Sequence, residues 1–308
     1  MPPWKAHHRS PGHGDITVDV SADGDWLVFN AVGDGGRDLY LLHLGSRAVT
    51  RIAATAEYEL APSFSPDGKS IVYSAGIHGD RADHLFIRSL VDGTVRQLTF
   101  DDANDMSPEF SPDGSQIVFS RCKTYRWGGL AANWSPEAVC VIATDGTGFR
   151  ELTPRNTAFT GQFLPDGRSV LVSGFKEPHV VSLTDDVAPL ATFSIKTRVD
   201  DLSSDGKLMA YTIGQYAGDR QIMVSTFDGQ DVQRVTKSAK GGWFGPQFID
   251  NEQLLFFHDD WPDGPTGYAK KSLWRINRDG SGQVKLADSD LFDAPLAFGT
   301  RSQNDDSR

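Results

Sequence analysis

Short apolar runs alternate along this chain with clusters of turn-forming residues, and the alternation recurs. The segments SADGDWLVFNA (from Ser21), SPDGKSIVYSA (from Ser65), SPDGSQIVFSR (from Ser111), LPDGRSVLVSG (from Leu164) and SSDGKLMAYTI (from Ser203) share one order. A turn comes first, then a strand rich in β-branched and aromatic residues. A degenerate sixth copy, FIDNEQLLFFH, begins at Phe248. The aspartates of the six copies are Asp23, Asp67, Asp113, Asp166, Asp205 and Asp250, so the spacings are 44, 46, 53, 39 and 45 residues. A period in the mid-forties with several short strands per unit is the size of a propeller blade, a four-stranded sheet.

Each unit reads alike. A strand such as Leu60–Phe64 runs into the turn, and a second such as Ile71–Ser74 leaves it. After a variable loop comes a third strand, such as Leu85–Arg88 or Leu273–Asn277, then a DG turn. A fourth strand ends in Leu98-Thr99, Leu152-Thr153 or Val235-Thr236. Within the turn, Pro pre-sets one backbone angle, Asp bonds the turn with its side chain and Gly takes the positive angle. Asp67, Asp113, Asp166 and Asp205 are therefore expected to be turn-formers. The predicted fold is an all-β, six-bladed propeller of four-stranded antiparallel blades over residues 16–298, with seven blades as the alternative. Residues 1–15 form an N-terminal arm and 299–308 a polar tail. The segment Phe292–Phe298 echoes Leu60–Phe64 and is expected to be a surplus inner strand that pairs with the first blade and closes the ring.

Charge narrows the partners. A net charge of −11 over 308 residues argues against nucleic acid, which asks for a basic face, and against an anionic membrane surface. No stretch reaches the ~18–20 apolar residues of a membrane span. The opening MPPWKAHHRSPGHGD has no apolar core for a signal peptide. A cytoplasmic location is expected, or a periplasmic or secreted one if a leader has been removed. The two cysteines, Cys122 and Cys140, lie on either side of one predicted hairpin, either as reduced thiols or as a cross-strand disulfide.

The unit APSFSPDGKSIVYSA, HLFIRSL, DG and RQLT resembles the WD-like repeats of the TolB family. The third unit, SPEFSPDGSQIVFSR with ATDGTGFRELT, is equally similar, and the likeness covers roughly residues 16–298. It implies the propeller fold, and superfolds host many activities. TolB itself looks like a periplasmic partner protein. Similar propellers gate the hydrolase domain of prolyl-oligopeptidase-type peptidases, but no GxSxG nucleophile elbow occurs here. Oligogalacturonate lyases share the repeat and use a metal held partly by histidines.

The fourth-to-first-strand connections and the second-to-third-strand loops open on one face, and the PDG and DG turns on the other. Specificity is expected on the former. Two long loops, Arg121–Pro136 and His258–Lys271, mix aromatics with charge. The ligand-binding candidates are Tyr125, Arg126, Trp127, Trp134, Trp243, His258, Asp259, Trp261 and Tyr268, suited to stacking on a sugar or anchoring a peptide. The competing reading is that these rings pack the loops against the rim. Glu59, Asp105, Asp200 and Asp293 are placed at the mouth of the central channel, where negative charge draws a cationic segment. His78, His84 and His258 are the candidate metal ligands. Two functions are thus carried forward. One is a non-catalytic binding or scaffolding module without a resident cofactor, taking a protein or carbohydrate ligand. The other is a metal-dependent carbohydrate-active enzyme resembling oligogalacturonate lyase, with a divalent metal and Arg126, Lys270 or Lys271 as base.

Overall fold

In the computed structural model, described for residues 16–32, 37–53, 58–76, 82–123, 138–154, 160–174, 177–184, 197–214, 219–237, 241–260, 270–293 and 295, the repeats become six antiparallel sheets. Blade 1 holds β1 (Val18–Val20), β2 (Trp26–Val32), β3 (Arg37–His43) and β4 (Val49–Ala53). Blade 2 holds β5 (Glu59–Phe64), β6 (Ser70–Gly76), β7 (Asp83–Ser89) and β8 (Val95–Gln97). Blade 3 holds β9 (Ala103–Phe110), β10 (Gln116–Lys123), β11 (Ala138–Ala143) and β12 (Arg150–Glu151). Blade 4 shows three strands among the described residues: β13 (Thr160–Phe163), β14 (Ser169–Ser173) and β15 (His179–Ser182). Blade 5 is β16 (Asp201–Leu202), β17 (Leu208–Ile213), β18 (Gln221–Thr226) and β19 (Gln233–Arg234). Blade 6 is β20 (Gly242–Phe248), β21 (Gln253–Asp260), β22 (Lys270–Asn277) and β23 (Val284–Ala287). Within each sheet the strands pair in chain order. The fold is a six-bladed propeller, as the repeat predicts.

The turn chemistry is written in the hydrogen bonds. Ser65 Oγ donates to Asp67 at 2.7 Å and accepts the Ser70 amide at 2.9 Å. The same clasp joins Ser111 to Asp113 and Gln116, and Ser203 to Asp205 and Leu208. These bonds stabilise the charged carboxylate, so Asp113 and Asp205 are held down to about 2, led by the serine hydroxyl in each case. Gly68 and Gly114 sit at φ 67° and 72°, where a side chain is strained. A second clasp explains the threonine that ends the fourth strand. Thr99, Thr153 and Thr236 each accept, at 3.0 Å, an amide from the third strand (Leu85, Val139 and Ile222).

Alternate strand residues face the neighbouring blade, and the core is accordingly a series of inter-blade layers. Val72, Leu85 and Leu98 of blade 2 pack on Phe110, Ile117 and Phe119 of blade 3. Ring closure differs from the sequence expectation. Asp290–Asp293 is a helical turn, α1, and residue 295 is helical too; the remainder of Phe292–Phe298 lies outside the described residues. Phe292 is 1% exposed and wedges between Phe29 of blade 1 and Phe257 of blade 6, with ring centroids at 5.8 and 5.7 Å. The segment echoes an inner strand because both must bury apolar residues. Here Phe292 buries as a plug, and the blade 6–blade 1 joint also carries Gln247 bonded to the Val18 carbonyl at 2.7 Å.

Candidate binding site between blades 2 and 3 and along the axis

The strand end beside the blade 3 loop is built on one arginine. Arg121, near the end of β10, gives Nε to Asp105 Oδ1 at 2.7 Å and Nη2 to Asp105 Oδ2 at 2.9 Å. Nη1 and Nη2 also reach the two oxygens of Asp101, at 2.7 and 2.9 Å. Asp105 is fully buried and Asp101 exposed. Burial raises the Asp105 carboxyl above its ordinary value, and the guanidinium opposes that rise. The guanidinium also lies over the Phe149 ring, 4.4 Å from its centroid. Beside it opens a cleft of about 380 Å³ lined by Leu98, Phe100, Asp101, Arg121, Ile142 and Phe149. Phe100 is 74% exposed and Phe149 42%, so two rings flank an apolar floor with a carboxylate at the edge.

The sequence-derived candidates fall into three groups. Tyr125, Arg126, Trp127, Trp134, Trp261, Tyr268 and His78 lie outside the described residues. Trp243 is a core residue of β20, 4% exposed, with its indole N–H on the Lys237 carbonyl at 3.0 Å. The His258 ring lies tilted against it with centroids 4.2 Å apart, and Asp259 is buried in an ion pair with Arg220. His84 is buried in β7 on blade 2, while His258 belongs to blade 6. Among the described residues no three His, Cys, Asp or Glu side chains group as a metal site. Of the channel-mouth candidates, Asp105 is bound to Arg121, Asp200 to Arg198 and Thr212, Glu59 is fully buried, and Asp293 is in α1. Cys122 and Cys140 are buried free thiols, and burial pushes Cys140 up to about 12.

A second set of side chains was not singled out by sequence reasoning. The penultimate residue of the innermost strand is Asp19, Ser63, Glu109, Gln162, Asp201 and Gln247 in blades 1 to 6. On blades 2, 3 and 6 that strand has a bulge, with Ala61, Ser107 and Gly245 at φ 48°, 52° and 59°, each followed by proline. Bulges re-aim the side chains that follow them. Asp19 accepts the Phe64 amide of blade 2 at 2.7 Å, and Asp201 the Phe248 amide of blade 6 at 2.6 Å. The Phe163 amide of blade 4 lowers the Glu109 carboxyl in part. The three side chains are half-buried, and the protein crowded around them raises all three carboxyls by desolvation: Asp19 to about 6, Asp201 to about 7, and Glu109 well above its ordinary value. Like charge adds to this, since Glu109 feels Asp201 and Asp19, and Asp201 feels Asp19 and Asp200. The detectable signal was a polar residue four before the repeat aspartate in the first five repeats, and three before it in the sixth.

Fold and site together define a propeller with an aromatic-flanked cleft at one blade joint and an acid-lined axis. The model of the TolB beta propeller domain matches residues 14–173, about half of the chain, and the chain belongs to that family. The Tol-Pal system protein TolB of Francisella tularensis subsp. holarctica (strain OSU18) is 32% identical over 85 residues. That match covers 28% of this chain and 20% of the relative, so it spans about a fifth of the relative's length. Among solved structures, TolB from Acinetobacter baumannii superposes with a TM-score of 0.59 at 19% identity, over 77% of this chain and 58% of that one. An oligogalacturonate lyase in complex with manganese gives 0.58 at 14%, over 89% and 78%. A Mycobacterium tuberculosis puromycin-hydrolyzing peptidase gives 0.60 at 18%, over 91% and 46%. Likeness at these identities is likeness of fold.

Proposed function

We propose that this chain is a non-catalytic binding propeller whose ligand is a protein, docked at the cleft between blades 2 and 3. The observation that carries the reading is Phe100, a large ring left 74% exposed beside an apolar floor. Exposed aromatics next to a rigid, desolvated pocket are the usual anchors of protein recognition. Arg121 belongs to the same design: held by four hydrogen bonds to two aspartates, it is a fixed strut under Phe149. Asp101 remains exposed at the edge and favours a basic group on the partner. Membership of a family whose relatives are named for a Tol-Pal system supports a protein ligand over a sugar.

The test is quantitative affinity capture from a lysate of the source cells, with wild type and Phe100→Asp compared by mass spectrometry. A partner retained by wild type should bind the variant roughly 30-fold more weakly, matching a hot-spot loss of about 2 kcal/mol. Thermal stability should not change, because the ring is on the surface. Identical captured sets for the two proteins sink the proposal.

A further inference from the structure

The cleft floor continues from the outer edge of blade 2, and that edge is open. At the two ends of β8 the Leu98 amide donates to the Leu85 carbonyl at 2.7 Å, and the Thr94 carbonyl accepts the Ser89 amide at 2.9 Å. Successive residues of a strand turn their backbone groups to opposite sides. The N–H and C=O of Val95 and Gln97 therefore face away from β7, and among the described residues no strand pairs with β8 there. Side chains alternate too. Arg96 and Leu98 turn toward blade 3, where Arg96 donates to the Thr144 carbonyl and Leu98 joins the cleft floor. Val95 turns to the other side and is 48% exposed. Of the eight large apolar residues exposed among the described ones, Val91, Val95 and Phe100 fall within positions 91–100 along this one edge, and Phe149 lines the same cleft. Exposed edges are ordinarily blunted by charge, as Arg150-Glu151 does on blade 3. The charges at the joint select what can pair. Arg121 lies between Asp101 and Asp105, and Arg96 near Asp145, which leaves three carboxylates against two guanidiniums. With −11 on the whole chain, that balance favours a basic segment over a second copy of this protein.

We propose, on the docking role given to the cleft above, that the partner binds as an extended basic segment that adds a strand to blade 2 along β8 and turns a bulky apolar side chain into the cleft over Leu98. Val95 and Gln97 each offer one donor and one acceptor on the open edge. Only a chain in β conformation presents its own carbonyls and amides in the matching alternation, so these two residues fix the register of the incoming strand. The cleft, at about 380 Å³, is at the small end of ligand pockets and has room for a side chain or two rather than a folded surface. On the incoming strand alternate residues face the cleft. A residue two positions from the apolar anchor therefore meets Asp101 at the cleft edge, and that is the place of the basic side chain.

The experiment pans random linear peptides displayed on phage against the full chain, and an enriched peptide is synthesised with a fluorescent label. Affinity is read by anisotropy, and backbone amide exchange by NMR with and without the peptide. Enriched peptides should carry an apolar and a basic residue two positions apart, and exchange should slow at the Val95 and Gln97 amides. Val95→Pro removes one outward N–H at the first residue of an edge strand, where proline is tolerated. It should weaken the peptide about tenfold or more without lowering the melting temperature. Phe100→Asp should weaken it as well. A peptide that Val95→Pro binds as tightly as wild type, or unchanged exchange at Val95 and Gln97, overturns the strand addition; if Phe100→Asp still releases that peptide, the cleft reading survives. No enrichment, or enrichment only of peptides that Phe100→Asp retains, overturns both. Dimerisation of the protein that Val95→Pro abolishes gives the edge to a second copy and also overturns the proposal. Should Val95→Pro fail to fold, the exchange measurement on wild type decides alone.

Discussion

Replacing Arg121 with Met tests how much of the blade 3 strand end rests on one guanidinium. The perturbation strands Asp105, which is fully buried and takes two hydrogen bonds from Arg121 at 2.7 and 2.9 Å. Removing one partner of a buried pair costs about 3–5 kcal/mol, because the other charge is left in a poor solvent. The bonds to exposed Asp101 add at most about 1 kcal/mol. At about 2 °C per kcal/mol for a chain of this size, the melting temperature should fall by roughly 6–10 °C at pH 8. The loss should also depend on pH in a defined sense. Burial already raises the Asp105 carboxyl and Arg121 opposes it, so the variant's carboxyl rises further. A folded value above the unfolded one destabilises as pH climbs through it, so the deficit should shrink between pH 8 and pH 5. Urea denaturation followed by both circular dichroism and tryptophan fluorescence measures this at each pH. The double variant Arg121→Met, Asp105→Asn should recover at least half of the loss at pH 8. A single-variant deficit below about 1 kcal/mol at pH 8, or no recovery in the double, refutes the reasoning.

Two further substitutions probe the joints. Gly161→Ala places a Cβ 2.5 Å from Val139 Cγ1 and 2.8 Å from Val118 Cγ2, both stiff, buried side chains of blade 3, and should destabilise by about 1–3 kcal/mol in urea. A variant as stable as wild type would show that the blade 3–4 layer yields easily. Phe292→Ala empties the plug between Phe29 and Phe257 and should cost about 3–5 kcal/mol, with faster hydrogen exchange concentrated in β1, β2 and β21. Uniform acceleration over all six blades would mean that Phe292 does not close the ring.

The fold was legible because each blade repeats the same local chemistry. The Ser–Asp–Gly clasp is a three-residue device whose hydrogen bonds are local, so a single sequence exposes it. Closure was less legible. Phe292-Asp293-Ala294-Pro295 carries the composition of an inner strand, and nothing local distinguishes a strand from a helical turn that buries the same phenylalanine. The burial of Trp243 was illegible for a related reason. Trp243 and Phe100 both stand beside predicted loops, but the burial of Trp243 in an inter-blade layer and the exposure of Phe100 depend on residues up to 33 and 49 positions away (243 − 210 and 149 − 100). The polar inner-strand positions lay between these cases. Their periodicity is visible once the six inner strands are aligned, but their acids resemble any polar residue in a half-buried strand.

Why those six positions are polar follows from a defect of the propeller itself. The innermost strand of every blade has one edge that no strand covers, and its amides and carbonyls need partners there. At the axis the partners come from the neighbouring blade's side chains. An uncovered N–H needs an acceptor, and those of Phe64 and Phe248 receive Asp19 and Asp201. An uncovered carbonyl needs a donor, and the Asp200 and Val18 carbonyls receive the amides of Gln162 and Gln247. A carboxylic acid performs the first task in either protonation state, but as an ion it brings charge into a crowded axis. An amide performs the second with no charge at all. The same need for edge satisfaction that places the acids therefore gathers three of them, half-buried, on the innermost strands of alternate blades.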